Sequence, residues 1–247
     1  ATILVSGAGG ACGIGAIKSL KANTAHRVIG VDMDPTAVGI QFADGGRAVP
    51  PAADDEWPPT IASIINEFDV DVIIPTVDEE LAVLPALREV CDDVPILAPK
   101  QAVIDLAMDK YQSTKALADA GHPTPETWLA TDADAINLSA YPLVVKPRRG
   151  RGSSGIKRVE TPAELQGHLE TTTYSPDELL CQTLVDGTEY TTSVVGTTEN
   201  ELLSVVPKEA IEKDGSTVLG ATRTAPAIVD SCVEIFETLA PAGPLNV

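Results

Sequence analysis

Residues Tyr141–Ile156 read YPLVVKPRRGRGSSGI. A short apolar run, Leu143 to Val145, delivers the single lysine Lys146, whose neighbour Val145 predicts a sheltered ammonium. A basic loop of glycines and serines follows, and then a second strand begins near Ile156. Glycine lets the main chain come close to a ligand. Backbone amides, the hydroxyls of Ser153 and Ser154, and Arg148, Arg149 and Arg151 together make a wrapping for a polyphosphate. It is not a Walker loop, because Gly-Lys-Ser/Thr is missing and a strand, not a helix, comes next.

Outward from this stretch toward the C-terminus, short alternating runs predict strands at Ile156–Val159, Leu179–Leu184, Glu189–Val195 and Leu202–Pro207. Thr197-Thr198-Glu199-Asn200 reads as a hairpin turn, and Val229–Leu239 as a final helix. Toward the N-terminus, Ala102–Ala120 reads as helices closed by Gly121, Pro123 and Pro125.

The first hundred residues read differently. Ile3–Ser6 and Val28–Asp32 are strands, with a helix between them carrying Ile14, Ile17 and Leu20 on one face. Ile61, Ile64, Ile65 and Phe68 stand at i, i+3, i+4 and i+7, a helical stripe. Val70–Pro75 and Val94–Ala98 are apolar runs of the kind buried on both faces of a parallel sheet. The expected fold class is therefore α/β: a parallel-sheet, Rossmann-like domain over residues 1–100, then an α+β module over 101–247.

A second glycine cluster, Ser6-Gly7-Ala8-Gly9-Gly10-Ala11-Cys12-Gly13, joins the first strand to its helix. Gly7, Gly10 and Gly13 fit the G-x-x-G-x-x-G spacing of short-chain dehydrogenases, and Asp32 stands where an acid would bind ribose. Tyr111 and Lys115 form a Y-x-x-x-K pair like that family's catalytic pair. Against an NAD(P)-dependent oxidoreductase stand two facts: no serine occurs a dozen residues before Tyr111, and the antiparallel half has no role in a single-domain dehydrogenase.

Thirty-six acidic against 17 basic residues give −19, a surface that repels nucleic acid and anionic membranes. The acids are scattered, lysines number only nine, and the pattern resembles that of proteins from salt-loving organisms, with an ordinary acidic enzyme as the alternative reading. No run approaches a membrane helix and no signal pattern opens the chain, so the expected location is cytoplasmic. The four cysteines are far apart and read as buried reduced thiols, and no metal-ligand cluster is legible.

Order and spacing together resemble the ATP-grasp superfamily, in particular the branch of the carbamoyl-phosphate synthase large subunit. Asp109-Lys110 leading to Gly121-His122-Pro123-Thr124-Pro125 looks like the family's opening, and Lys146-Pro147 with the glycine loop like its core. Leu180–Tyr190 looks like its adenine and ribose hinge, and Gly243–Val247 like the segment before its magnesium ligands. Pro75–Leu81 and the first glycine cluster look like its front domain, which does not usually bind NAD.

The resemblance implies an ATP- and Mg2+-dependent carboxylate-amine ligase that activates a carboxylate as an acyl phosphate. It implies small-molecule carboxylate and amine substrates and allows a homodimer. By this likeness Lys110 and Lys146 contact phosphates, while Gly150, Gly152, Ser153, Ser154 and Gly155 close over them. Gln182, Thr183, Leu184 and Val185 face adenine, with Gln182 where relatives more often carry glutamate; Glu189 accepts from ribose. Lys208 and Arg223 are candidate catalytic contacts to the γ-phosphate or substrate. A lid subdomain is implied over about residues 111–176 and the start of a C-terminal subdomain over 177–247. The family's magnesium ligands fall beyond Val247, leaving open a piece of a longer protein, a naturally short one, or a nucleotide-binding module without catalysis. The acceptor is expected near Asp78-Glu79-Glu80, where an acidic edge favours an amino group; the same acids equally suit a helix N-terminus.

Overall fold

A computed structural model of the chain describes residues 1–91, 93–150 and 154–247. It divides into two compact units, Ala1–Gln101 and Ala102–Val247. The first unit runs β1 (Thr2–Val5), α1 (Ala11–Asn23), β2 (Arg27–Asp32), α2 (Val38–Phe42), β3 (Gly45–Ala48), α3 (Trp57–Phe68), β4 (Val72–Ile74) and α4 (Asp78–Val90). Its strands form a parallel sheet in the order β3-β2-β1-β4. Strands joined through helices must pair in parallel, and their two covered faces explain the unbroken apolar runs of β1 and β2. The helical stripe is borne out: Ile61, Ile64 and Ile65 of α3 are buried.

The glycine cluster has a packing reason. Gly7 has φ +62, and a Cβ on Gly13 would lie 2.2 Å from the Gly7 carbonyl oxygen, so α1 meets the turn backbone to backbone. Asp32 fixes this turn from within: its Oδ2 accepts from the Gly9 amide at 2.7 Å.

The run Val94–Ala98 departs from expectation. It forms only a single parallel bridge, Ile73 to Ile96, flanked by Ile73 N–H to Pro95 O (2.9 Å) and Leu97 N–H to Ile73 O (2.8 Å). Pro95 has no N–H to extend a ladder, and Leu97 is exposed. Of the cysteines, Cys91, Cys181 and Cys232 are buried, but Cys12 is exposed on α1.

From α5 (Gln101–Ala107), whose first residue ends the first unit, the chain continues with α6 (Lys110–Asp119), β5 (Thr127–Leu129), β6 (Leu143–Pro147), β7 (Lys157–Val159), α7 (Pro162–Thr171) and β8 (Leu179–Thr183). It ends with β9 (Tyr190–Gly196), β10 (Leu202–Asp214), β11 (Ser216–Thr222), α8 (Pro226–Leu239) and β12 (Leu245–Asn246). Two antiparallel sheets result, ordered β5-β8-β6-β7 and β11-β10-β9-β12. One face of the first is a core of Leu143, Val145, Val159, Leu165, Leu179 and Cys181. One face of the second packs Val194 against Cys232 and Phe236 of α8. Parallel α/β followed by antiparallel α+β is the fold class expected. The hairpin turn is also present: Asn200 takes φ +65 and its N–H donates to Thr197 O at 3.0 Å.

Candidate nucleotide site

β6 alternates, with Leu143, Val145 and Pro147 buried and Val144 and Lys146 on the other face. That alternation puts Lys146 into a cavity of about 530 Å³. Lys110, at the start of α6, enters the same cavity, and its Nζ donates to the Gly150 carbonyl at 2.5 Å. Burial holds the Lys146 ammonium below the usual lysine range, and the charge of Lys110 adds to that. Its Nζ donates to Gln182 Oε1 at 2.8 Å.

Gln182, Thr183, Leu184 and Val185 form the opposite wall, joined by Gly150, Ser154 and Glu189. The N–H groups of Thr183 and Leu184 are committed to Glu126 O and Pro142 O, both at 3.0 Å. Thr183 Oγ1 is buried without a hydrogen-bond partner among the described residues. Gly155 is not among the residues lining the cavity, and a Cβ there would meet Pro147 Cγ at 2.9 Å. Gly152 and Ser153, with Arg151, lie outside the described residues.

Three assignments change in space. Arg148 does not face the cavity: its Nη2 pairs with Asp109 at 2.6 Å and its Nη1 donates to Asp177 O at 2.9 Å. Arg149 does line the cavity. Lys208 and Arg223 do not converge. Lys208 pairs in register with Thr191 and Thr222, donates to Ser193 Oγ at 2.9 Å, and lines a separate recess. Arg223 bonds Glu209, the residue after Lys208, and alternation puts Glu209 on the other face of the sheet.

Sequence reasoning missed Lys213, whose Nζ holds both Glu189 oxygens at 2.7 and 2.9 Å on the cavity rim. The sequence pattern ends its strand at Pro207, since proline breaks ladders. Instead β10 continues to Asp214 through two irregularities, and the Pro207 carbonyl still accepts from Arg223 N–H. The Y-x-x-x-K pair resolves as structure. Lys115 makes an i, i+4 ion pair with Asp119 at 3.8 Å, and Tyr111 lies under the Arg148 guanidinium. In the first unit Glu80 is turned inward, 6% exposed, and accepts from Ser6 Oγ. Burial pushes its carboxyl up to about 7, with Asp32 and Glu79 adding to the rise against the Ser6 hydrogen bond.

The model of the ATP-grasp domain matches residues 107–242, and that of the PylC-like N-terminal domain matches residues 3–97. The chain belongs to the ATP-grasp family. It is 26% identical over 202 residues to a carbamoyl-phosphate synthase of Methanobrevibacter smithii, covering 78% of this chain and 53% of the relative. It is 27% identical over 210 residues to a D-alanine–D-alanine ligase of Halalkalibacterium halodurans, covering 81% and 61%. The chain thus spans roughly half to three fifths of these relatives' lengths.

Among solved structures, the N5-carboxyaminoimidazole synthetase of Staphylococcus aureus complexed with ADP matches with a TM-score of 0.71 at 20% identity, covering 100% of this chain and 65% of that one. The biotin carboxylase domain of the Hydrogenobacter thermophilus 2-oxoglutarate carboxylase, in complex with MgADP, ADP and bicarbonate, matches at 0.67 and 18% identity, covering 97% and 57%. These two likenesses are likenesses of fold. Among the described residues no helix is long and apolar enough to cross a membrane.

Proposed function

We propose that the Lys110–Lys146 cavity binds ATP and that the protein to which this chain belongs is an ATP-dependent carboxylate-amine ligase. The observation that carries this reading is the convergence, in one cavity, of two lysines, the rim of the glycine loop and the Gln182–Val185 edge. Lys110 and Lys146 neutralise phosphate oxygens, and Gly150, Ser154 and Gly155 hold the loop that covers them. Gly152 and Ser153 keep the same role as expectations. Gln182, Thr183, Leu184 and Val185 border the base. Glu189 meets the ribose while exchanging its hold on Lys213. The chemistry is positioning and charge neutralisation rather than covalent catalysis. Lys208, with its hydroxyl neighbours, supplies a cationic contact for the substrate or the transferred phosphoryl group. Arg223 serves the sheet through Glu209.

Mg2+ is proposed as the companion of ATP, supported by the MgADP in complex with the Hydrogenobacter thermophilus carboxylase domain. The described residues do not make a cradle for it. Among them no group of three or more His, Cys, Asp or Glu side chains is placed to hold a metal ion, and Glu189 at the cavity is held by Lys213. No step is therefore drawn through the metal. Small-molecule carboxylate and amine substrates, a homodimer and a cytoplasmic location belong to the same proposal.

Calorimetric titration tests it: ATP binds and NAD(P)H does not. Micromolar NADH binding with none for ATP would overturn the reading.

A further inference from the structure

Thr127, Gln182 and Lys146 sit on one face of three adjacent strands. Thr127 pairs in register with Gln182 across β5 and β8, and Gln182 with Val144 across β8 and β6. Lys146 stands two residues on from Val144 along the same face of β6. Three hydrogen bonds connect them. Thr127 Oγ1 donates to the Pro125 carbonyl at 2.9 Å, Gln182 Nε2 donates to Thr127 Oγ1 at 2.8 Å, and Lys146 Nζ donates to Gln182 Oε1 at 2.8 Å.

A threonine hydroxyl has one proton. Spent on the Pro125 carbonyl, it leaves the Thr127 oxygen only able to accept. The Gln182 amide must then turn its NH2 toward Thr127 and its oxygen toward Lys146. An ammonium is donor-only, so both ends of the relay demand the same amide polarity. Lys146 is thereby held by a neutral partner that takes none of its charge.

We propose that Thr127 is a positioning residue for the nucleotide. By fixing the polarity of the Gln182 amide, it aims Lys146 into the cavity with its full positive charge free for a phosphate. The proposal rests on the nucleotide reading above. A carboxylate at residue 182 would hold the lysine equally well but would offset part of its charge, which the neutral amide does not. Among the described residues, the other charged groups facing this cavity are Lys110, Arg149, Glu189 and Lys213, and the last two are bound to each other.

The decisive comparison is Thr127→Val against Thr127→Ser. Valine keeps the shape and the strand preference but loses the hydroxyl; serine keeps the hydroxyl and loses a methyl. A packing role makes serine the worse variant, whereas the relay makes valine the worse. Thr127→Val should weaken ATP about tenfold, the scale of one hydrogen bond acting on a charged group, while Thr127→Ser stays within about twofold.

A second readout needs no nucleotide. In lysine-13C-labelled protein, titration of the Lys146 Cε resonance should show its pKa falling in Thr127→Val, which releases the Gln182 amide whose oxygen accepts from the ammonium. It should rise in Gln182→Glu, which adds a carboxylate, and the alkaline loss of ATP binding should move with it in each case. If Thr127→Val fails to fold by circular dichroism, Thr127→Ala replaces it as the variant without a hydroxyl. An unchanged Lys146 titration in that variant, or serine losing as much affinity as valine, overturns the relay. A wild-type chain that binds no ATP overturns the nucleotide reading instead, and the lysine titration still decides the relay.

Discussion

Lys146 is set in a half-buried strand where desolvation works against its charge, and its nearest acceptor is an amide. A polyphosphate entering the cavity relieves that imbalance, so removing the lysine should cost binding more than removing an exposed cation would. Lys146→Ala is expected to weaken ATP by about a hundredfold or more, since hydrogen bonds to charged groups are worth roughly 1.5–3 kcal/mol and the desolvated site adds to this. Tyr111→Phe should leave affinity within about twofold of wild type, because the ring serves Arg148 rather than the cavity. Calorimetry on the two variants checks both, and the reverse order would place the nucleotide at the other motif. Glu80 carries a separate expectation. Its folded pKa is raised to about 7, so between about pH 4.5 and 7 the folded state holds a proton that the unfolded state has lost. Its contribution to stability is therefore complete below pH 4.5 and falls as pH rises through 7, by on the order of 3 kcal/mol. Glu80→Gln should keep the hydrogen bond from Ser6 and lose that slope. Urea midpoints of both proteins from pH 4.5 to 7.5 measure it, and parallel curves would show that Glu80 is not the titrating group. Lys146 is legible in the sequence because it is one charge on an apolar run. Thr127 and Lys213 are not, because each acquires meaning only from a partner across a sheet, at a register that local pattern does not encode.

At the scale of elements, α6 and the glycine loop are tied through one residue. Asp109 is the N-cap of α6, accepting from the amides of Tyr111 and Gln112 at 3.1 and 3.2 Å, and it also pairs with Arg148 at the loop's root. Although burial alone would raise its pKa, the Arg148 and amide hydrogen bonds outweigh that and hold the carboxyl below its usual range. Its side chain is 4% exposed, so truncation leaves Arg148 facing a buried gap. Asp109→Ala should cost on the order of 3 kcal/mol and weaken ATP, since Lys110 and Gly150 are set by the two elements it joins. Asp109→Asn, which retains the cap but not the charge, should fall between that variant and wild type in thermal unfolding. Equal melting temperatures for all three would remove the latch from the account. The elements legible in the sequence are those with strong local periods, such as α3, β2 and β6. Short elements carried by tertiary pairing are not: β3 has Gly45 and Gly46 at its start, and β11 follows a charged run that resembles a turn. Proline misleads in two ways. Pro207 sits inside a strand that the pattern ends there, and Pro95 denies a ladder to a run that reads as a strand.

At the scale of the whole molecule, charge sets the last expectation. The chain carries −19, with 36 acidic residues against 17 basic ones. Two salt effects oppose each other. Screening weakens surface pairs such as Arg47–Glu67 and Arg158–Glu160, but exposed pairs contribute only about 0–1 kcal/mol each. Screening also relieves the repulsion among the excess carboxylates, which acts over the entire surface and favours the expanded state. With the Debye length shrinking from about 10 Å at 0.1 M to about 3 Å at 1 M, the second effect should win, because acids outnumber bases two to one. The melting temperature is therefore expected to rise by roughly 5–10 °C between dilute buffer and multimolar KCl, corresponding to a few kcal/mol for a chain of this size. Replacing exposed acids such as Asp55, Asp132 and Asp134 with their amides should shrink that rise, since it removes the repulsion that salt relieves. A flat or falling melting temperature in wild type would rule out the halophilic reading of the composition. A rise that the amide substitutions leave intact would trace it to general salting effects rather than to the carboxylates.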